Sequence, residues 1–231
     1  MTTNLGSPAE DRPVSIAIGS TFLEGDLNIP SEAESIVVFA HGSGSSRHSR
    51  RNRFVAKTLR QGGPATLLLD LLTPEEERID IQTRQFRFDI DLLARRVVAA
   101  VDWLVTYPDT HGLEIGCFGS STGAAAALIA AKERPELVHA VVSRGGRPDL
   151  AADILGEVQA PTLFIVGGKD STVLKLNEKA LAALRTEKKL EIIHGATHLF
   201  EEPGALDKVA ILALQWFVRH LQSARLMASC G

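Results

Sequence analysis

Short, continuously apolar runs rich in β-branched residues alternate along this chain with longer stretches of helical period, and few folds accept that alternation. Ile36-Val37-Val38-Phe39, Ala65 to Leu69, Glu114 to Phe118, Ala140 to Ser143, Pro161 to Val166 and Leu190 to Ile193 read as strands. Most lack the in–out alternation of a half-exposed strand, so both faces must be covered. Ahead of them, Val14 to Ile18 and Phe22 to Asn28 flank the turn Gly19-Ser20 and predict an antiparallel opening hairpin. Between strands, Ile90, Leu93, Val97, Val101 and Leu104 recur at three- and four-residue steps. Asp91 and Arg95 are spaced to pair on the wet face of that helix, and Pro108 sits just past its end. Leu206, Val209, Ala213, Trp216, Phe217 and Leu221 repeat the pattern in a final helix. Further helices are expected near Phe54 to Leu59, Ser121 to Arg134 and Leu174 to Leu184. The order predicts an α/β fold, a mostly parallel sheet with helices on both faces.

Nothing argues for a second unit. No repeat, low-complexity tract or linker interrupts the 231 residues, so one domain over 1–231 is expected, with its core at about 14–221. A chain of this length buries on the order of 70% of its unfolded surface and needs neither disulfide nor metal to fold. Lys and Arg total 25 against 28 Asp and Glu, a net charge of −3 with no basic field for nucleic acid or anionic lipid. Met1 to Gly6 lack the basic and apolar parts of a signal peptide. The longest apolar stretch, Gly123 to Ala131, falls well short of the ~20 residues of a membrane span. Cys117 lies inside an apolar run and Cys230 next to the end, which fits a reducing cytoplasm better than a disulfide framework. Thr73 to Arg78 reads as a solvated loop or a helix start.

One constellation carries chemistry. Gly119-Ser120-Ser121-Thr122-Gly123 follows an apolar strand and opens an Ala-rich helix. That is where a nucleophilic serine belongs: flanking glycines relieve a sharp turn, and the helix N-terminus faces developing negative charge. Serine needs a base, and the base an orienting acid. Asp170 stands just past the strand ending Val166-Gly167, and His198 in the loop after Ile192-Ile193. Both positions, like Ser121, fall at the carboxyl edge of a parallel sheet, where such folds put their sites. The expected triad is Ser121, Asp170 and His198, with Asp70 the reserve acid and His194 a weaker base. His41-Gly42-Ser43-Gly44-Ser45 leaves the same edge, and the backbone N–H groups of Ser43 and Thr122 are the expected oxyanion donors.

Taken together, His41-Gly42-x-Gly44, Gly119-x-Ser121-x-Gly123, Gly168-Lys169-Asp170 and Gly195-x-x-His198 resemble the α/β-hydrolase superfamily. Leu23-Glu24-Gly25-Asp26-Leu27-x-x-Pro30 makes the chain similar to its dienelactone-hydrolase-like members, from about Val14 to Leu221. The resemblance implies a sheet of about eight strands, a serine hydrolase site free of metal and cofactor, and small esters or lactones as substrates. Dienelactone hydrolases carry cysteine at the position of Ser121, which points from dienelactone itself toward general carboxylesterase activity. No long insertion separates the strands, so no large cap is expected. Some similar proteins join this unit to a phosphoribosyltransferase domain, for which these residues hold no sequence.

The expected partner is therefore a small acyl compound, with hydrolysis the leading reaction. Acyl transfer through the same triad and a non-catalytic binding module on this fold stand as alternatives. Arg144, with Arg147 at the end of the sixth strand, and the Arg47 to Arg53 cluster could grip an anionic substrate group, or pair with Asp70, Asp149 or glutamates. His41 could touch substrate or brace its loop, while Cys117 is expected to pack.

Overall fold

The computed structural model describes residues 10–228, with side chains through 221. Eight strands form one sheet in the order β1-β2-β4-β3-β5-β6-β7-β8. β1 (Arg12–Ile18) and β2 (Thr21–Asn28) make the expected hairpin, and β2 runs antiparallel to β4 (Ala65–Leu69). β3 (Ser35–Ala40), β5 (Glu114–Ser120), β6 (Val138–Arg144), β7 (Thr162–Gly167) and β8 (Lys188–Ile193) complete a parallel set with β4. All carboxyl ends of that set share one rim. This is the α/β-hydrolase architecture that the sequence predicts, and no large cap is inserted between its strands.

Two-residue periodicity divides the core. Ile36, Val38 and Ala40 of β3 enter one apolar cluster, and Val37 and Phe39 enter the other. In β5, Ile115 and Cys117 join the first and Phe118 the second. Helix α1 (Arg50–Gln61) and helix α6 (Ala205–Ala228) cover the second face, where Val55, Leu59, Val209 and Phe217 are fully buried. Helix α3 (Ile90–Thr106) and helix α4 (Thr122–Glu133) cover the first, next to a 3₁₀ segment at Pro148–Glu157 and helix α5 (Ser171–Ala183). Each large side chain taken from water there contributes about 1.5–3 kcal/mol.

Thr73 to Arg78, read from sequence as a solvated loop or a helix start, opens a full helix, α2 (Pro74–Thr83). Thr73 and Glu76 form a reciprocal capping box with Pro74 in the first turn, which fixes the start without an apolar stripe. Asp91 and Arg95 form no ion pair among the described residues. The polar link in this region is instead Arg96 to Glu76 at 2.7 Å, tying α3 to α2. Cys230 lies outside the described residues.

At the β5–α4 junction the backbone leaves no room for side chains. A Cβ on Gly123 would sit 2.3 Å from the Ala40 carbonyl oxygen, and one on Gly119 would sit 2.4 Å from Ala124 Cα. Neither obstacle is a flexible side chain. Gly123→Ala should therefore cost at least about 1–3 kcal/mol, read as a lower urea midpoint at unchanged slope. An unchanged midpoint would show that α4 can retreat from β3 freely.

Candidate active site

Ser121 occupies the junction between β5 and α4 with φ 51° and ψ −120°, one of three described non-glycine residues at positive φ. Neighbouring backbone holds it there: its N–H donates to the Arg144 carbonyl at 3.3 Å, and its carbonyl accepts from Arg147 N–H at 3.0 Å. Strain of this kind needs such over-determination to persist.

Asp170 and His198 meet as the spacing predicts. Asp170 caps α5, with Oδ1 accepting the Val173 N–H at 3.3 Å, while Oδ2 lies 2.7 Å from His198 Nδ1. One carboxylate oxygen thus fixes the side chain and the other holds the imidazole. The loops that carry them are tied by Lys169 N–H to the Ala196 carbonyl at 2.9 Å. Asp170 is mostly buried and the His198 side chain is 39% exposed, so the ring reaches the pocket from a sheltered acid. Ser121 and His198 line one pocket of about 230 Å³. No hydrogen bond joins Ser121 Oγ to the ring among the described residues.

The two expected oxyanion donors are brought together by a contact that no local sequence pattern marks. Ser43 Oγ and Thr122 Oγ1 lie 2.9 Å apart, linking the loop after β3 to the first turn of α4. Ser43 Oγ also donates to the Arg87 carbonyl at 3.1 Å. Thr122 N–H, in the first turn of a helix, is among those without an intrahelical partner. Asn52, buried in α1, likewise lines the pocket and accepts from Ser120 Oγ at 3.0 Å. A lone asparagine among arginines carried no signal of this role.

Other candidates separate. Asp70 receives the Arg47 backbone N–H at 2.6 Å and pairs with the Arg47 guanidinium, while the carboxylate that meets His198 is Asp170. Arg53 pairs with Asp26 at 2.6 Å and Arg147 with Asp149 at 2.8 Å, which takes three rim arginines for structure. Arg144 joins neither Asp70 nor Asp149, and it lines the pocket. His194 is exposed, with Asp170 already engaged by His198. Burial pushes the Cys117 thiol up to about 12, so it is an inert packing group.

The expectation that His41 touches substrate fails for its ring nitrogens. Nε2 accepts the Leu71 N–H at 3.0 Å and Nδ1 donates to the Gly42 carbonyl at 2.9 Å, so the ring braces the loop. A cavity of about 370 Å³ lies on that side of the loop, but its lining contains none of Ser121, Asp170 and His198. The smaller pocket is the one that Ser121 lines.

Burial holds His41 below its ordinary value of 6.5, outweighing the opposing pull of the Gly42 carbonyl and the Asp70 and Glu77 carboxylates. The folded ring refuses a proton that the unfolded chain accepts. Its contribution to stability is present above about 6.5 and lost as pH falls toward the folded value. His220, also lowered chiefly by burial, acts in the same direction. The urea midpoint should drop from about pH 7 to about pH 5, and His41→Gln, which keeps an acceptor for Leu71, should flatten that drop. An identical slope in the variant would exclude His41 as a cause.

Comparison with known proteins agrees with this fold. A Mycobacterium tuberculosis H37Rv protein with the provisional name phosphoribosyl transferase is 56% identical over 214 residues, 93% of this chain. The chain spans about half the length of that relative, 47%. The crystal structure of a dienelactone hydrolase from Anabaena variabilis is 60% identical, covering 93% of this chain and 100% of that one, with a TM-score of 0.92. Est1E from Butyrivibrio proteoclasticus shares the fold at 16% identity, with a TM-score of 0.76 over 90% of this chain and 98% of its own. Residues 24–220 match the dienelactone hydrolase family, and the chain belongs to it.

Proposed function

We propose that this protein is a serine hydrolase that cleaves a small carboxylic ester or lactone through an acyl-enzyme. The observation that carries the reading is the 2.7 Å contact between Asp170 Oδ2 and His198 Nδ1, beside a pocket whose wall holds a strained Ser121. With Nδ1 donating to the carboxylate, Nε2 is left as the ring's acceptor. His198 takes the hydroxyl proton as Ser121 Oγ attacks the substrate carbonyl. Asp170 holds the tautomer and favours the imidazolium that forms. The Ser43 and Thr122 N–H groups take up the negative oxygen, held side by side by their own hydroxyl contact. Collapse expels the alcohol, which leaves with the proton from His198. Water, deprotonated by the same ring, then cleaves the acyl-enzyme.

The transferase name of the mycobacterial relative is not carried over, because this chain spans 47% of that protein and matches a hydrolase family. No described helix is long and apolar enough to cross a membrane. A free, buried Cys117 suits the reducing cytoplasm we propose as the protein's location.

Wild-type protein should hydrolyse p-nitrophenyl acetate and be labelled on Ser121 by a fluorophosphonate. Ser121→Ala should lose the label and about three or more orders of magnitude in kcat. Wild-type turnover in that variant would overturn the assignment.

A further inference from the structure

We propose that Arg144 and Arg51 form an anion site beside Ser121 that binds the phosphate of a small phosphorylated ester or lactone. This substrate class rests on the hydrolase reading above. Arg144, the last residue of β6, is only 7% exposed and lines the catalytic pocket. Its Nε is buried without a partner, and its guanidinium makes no hydrogen bond or ion pair among the described residues. Arg47, Arg87, Arg96, Arg134 and Arg147 each hold a carboxylate. A buried, unpaired charge is costly for a fold to keep, so the missing partner is expected from outside the chain. The Phe200 ring, 5.8 Å from the guanidinium carbon, is the one described side chain in attractive contact with its charge. Burial, and then the like charge of Arg51, lower Arg144 to about 10, which leaves it charged at neutral pH.

The rest of the lining fits a dianion. Arg51, in the first turn of α1, has a buried Nε without a partner and only a rim contact with Glu201 at 3.3 Å. Ser49, Arg51 and Asn52 bring the N-terminus of α1 to the same pocket that Ser121 opens at the N-terminus of α4. Two guanidiniums and two helix N-termini thus surround one space. Among the described residues no carboxylate lines it, and Leu199 is its only apolar side chain. An alkyl chain would strip water from serine hydroxyls and gain little. A single carboxylate would satisfy one guanidinium fork, whereas a phosphate ester offers three free oxygens to share between two. The volume of about 230 Å³ admits only a small molecule.

Calorimetric titration with methyl phosphate and with acetate tests the site without requiring any acyl chemistry. Wild type and Ser121→Ala should both bind methyl phosphate at least about tenfold more tightly than acetate, and Arg144→Met and Arg51→Met should each lose about tenfold. Without ligand, Arg144→Met should keep or raise the Tm, because it removes an uncompensated buried charge; a merely structural arginine would lower it. Acetate binding as tightly as methyl phosphate would overturn the proposal. So would methyl phosphate affinity within about twofold of wild type in Arg51→Met, a more exposed position whose variant decides the matter if Arg144→Met does not fold. Because binding is read in Ser121→Ala, failure of the esterase assay and failure of this site are separate results.

Discussion

The close approach of α4 to the backbone of β3 sets the geometry of everything at the active rim. With the position of a Gly123 Cβ falling 2.3 Å from the Ala40 carbonyl oxygen, the chain leaving β5 must turn within very few residues. Ser121 absorbs that turn at positive φ. Ala124, Ala125, Ala126 and Ala127 are all fully buried, as a helix pressed against a sheet requires. Because Ser121 also bonds the Arg144 carbonyl and the Arg147 N–H, the end of β6 is drawn to the same place. The placements of Ser121, the α4 N-terminus and the buried arginine therefore share one cause.

Charge is allotted around this rim with little left over. Asp26 receives both Arg47 and Arg53, and Asp70 takes Arg47 a second time. These pairs fasten the loop between β3 and α1 to β2 and to the end of β4. What remains facing the pocket is positive, since Asp170 is committed to His198. A site with this balance favours negative charge at its centre, whether on a transient oxyanion or on a group the substrate brings.

Strands, helices and the meeting of Asp170 with His198 were legible because each leaves a local mark. Val37, Phe39 and Phe118 belong to runs that only a doubly covered strand tolerates, and Ser121, Asp170 and His198 each follow such a run. What stayed hidden depends on neighbours far along the chain. Arg147 has Asp149 two residues on to hold, but nothing local shows that Arg144 is buried and unpaired. Nor does Asn52 show that Ser120, 68 residues later, will donate to it. Helix α2 is a different case, its start legible and its length not. Ile79 and Ile81 point into solvent, so no apolar period exists to read, although the Thr73–Glu76 capping pattern was there.

That helix explains how an uncapped site keeps the loop after β3 in place, the loop we propose as an oxyanion donor. Asp80, buried at the end of α2, accepts the N–H groups of Phe86 and Arg87 and the Arg87 guanidinium at 2.6 Å. Burial alone would raise its carboxyl, but the Arg87 and Phe86 contacts outweigh that and hold it below the usual carboxylate range. Arg87, fixed in this way, offers its carbonyl to Ser43 Oγ, and Ser43 reaches Thr122. From the other side, His41 pins the start of the same loop to Leu71. The loop is thus held at both ends by elements outside the proposed triad. In the mechanism we propose, its N–H groups meet the forming oxyanion without reorganising, and that pre-ordering is what makes such donors effective.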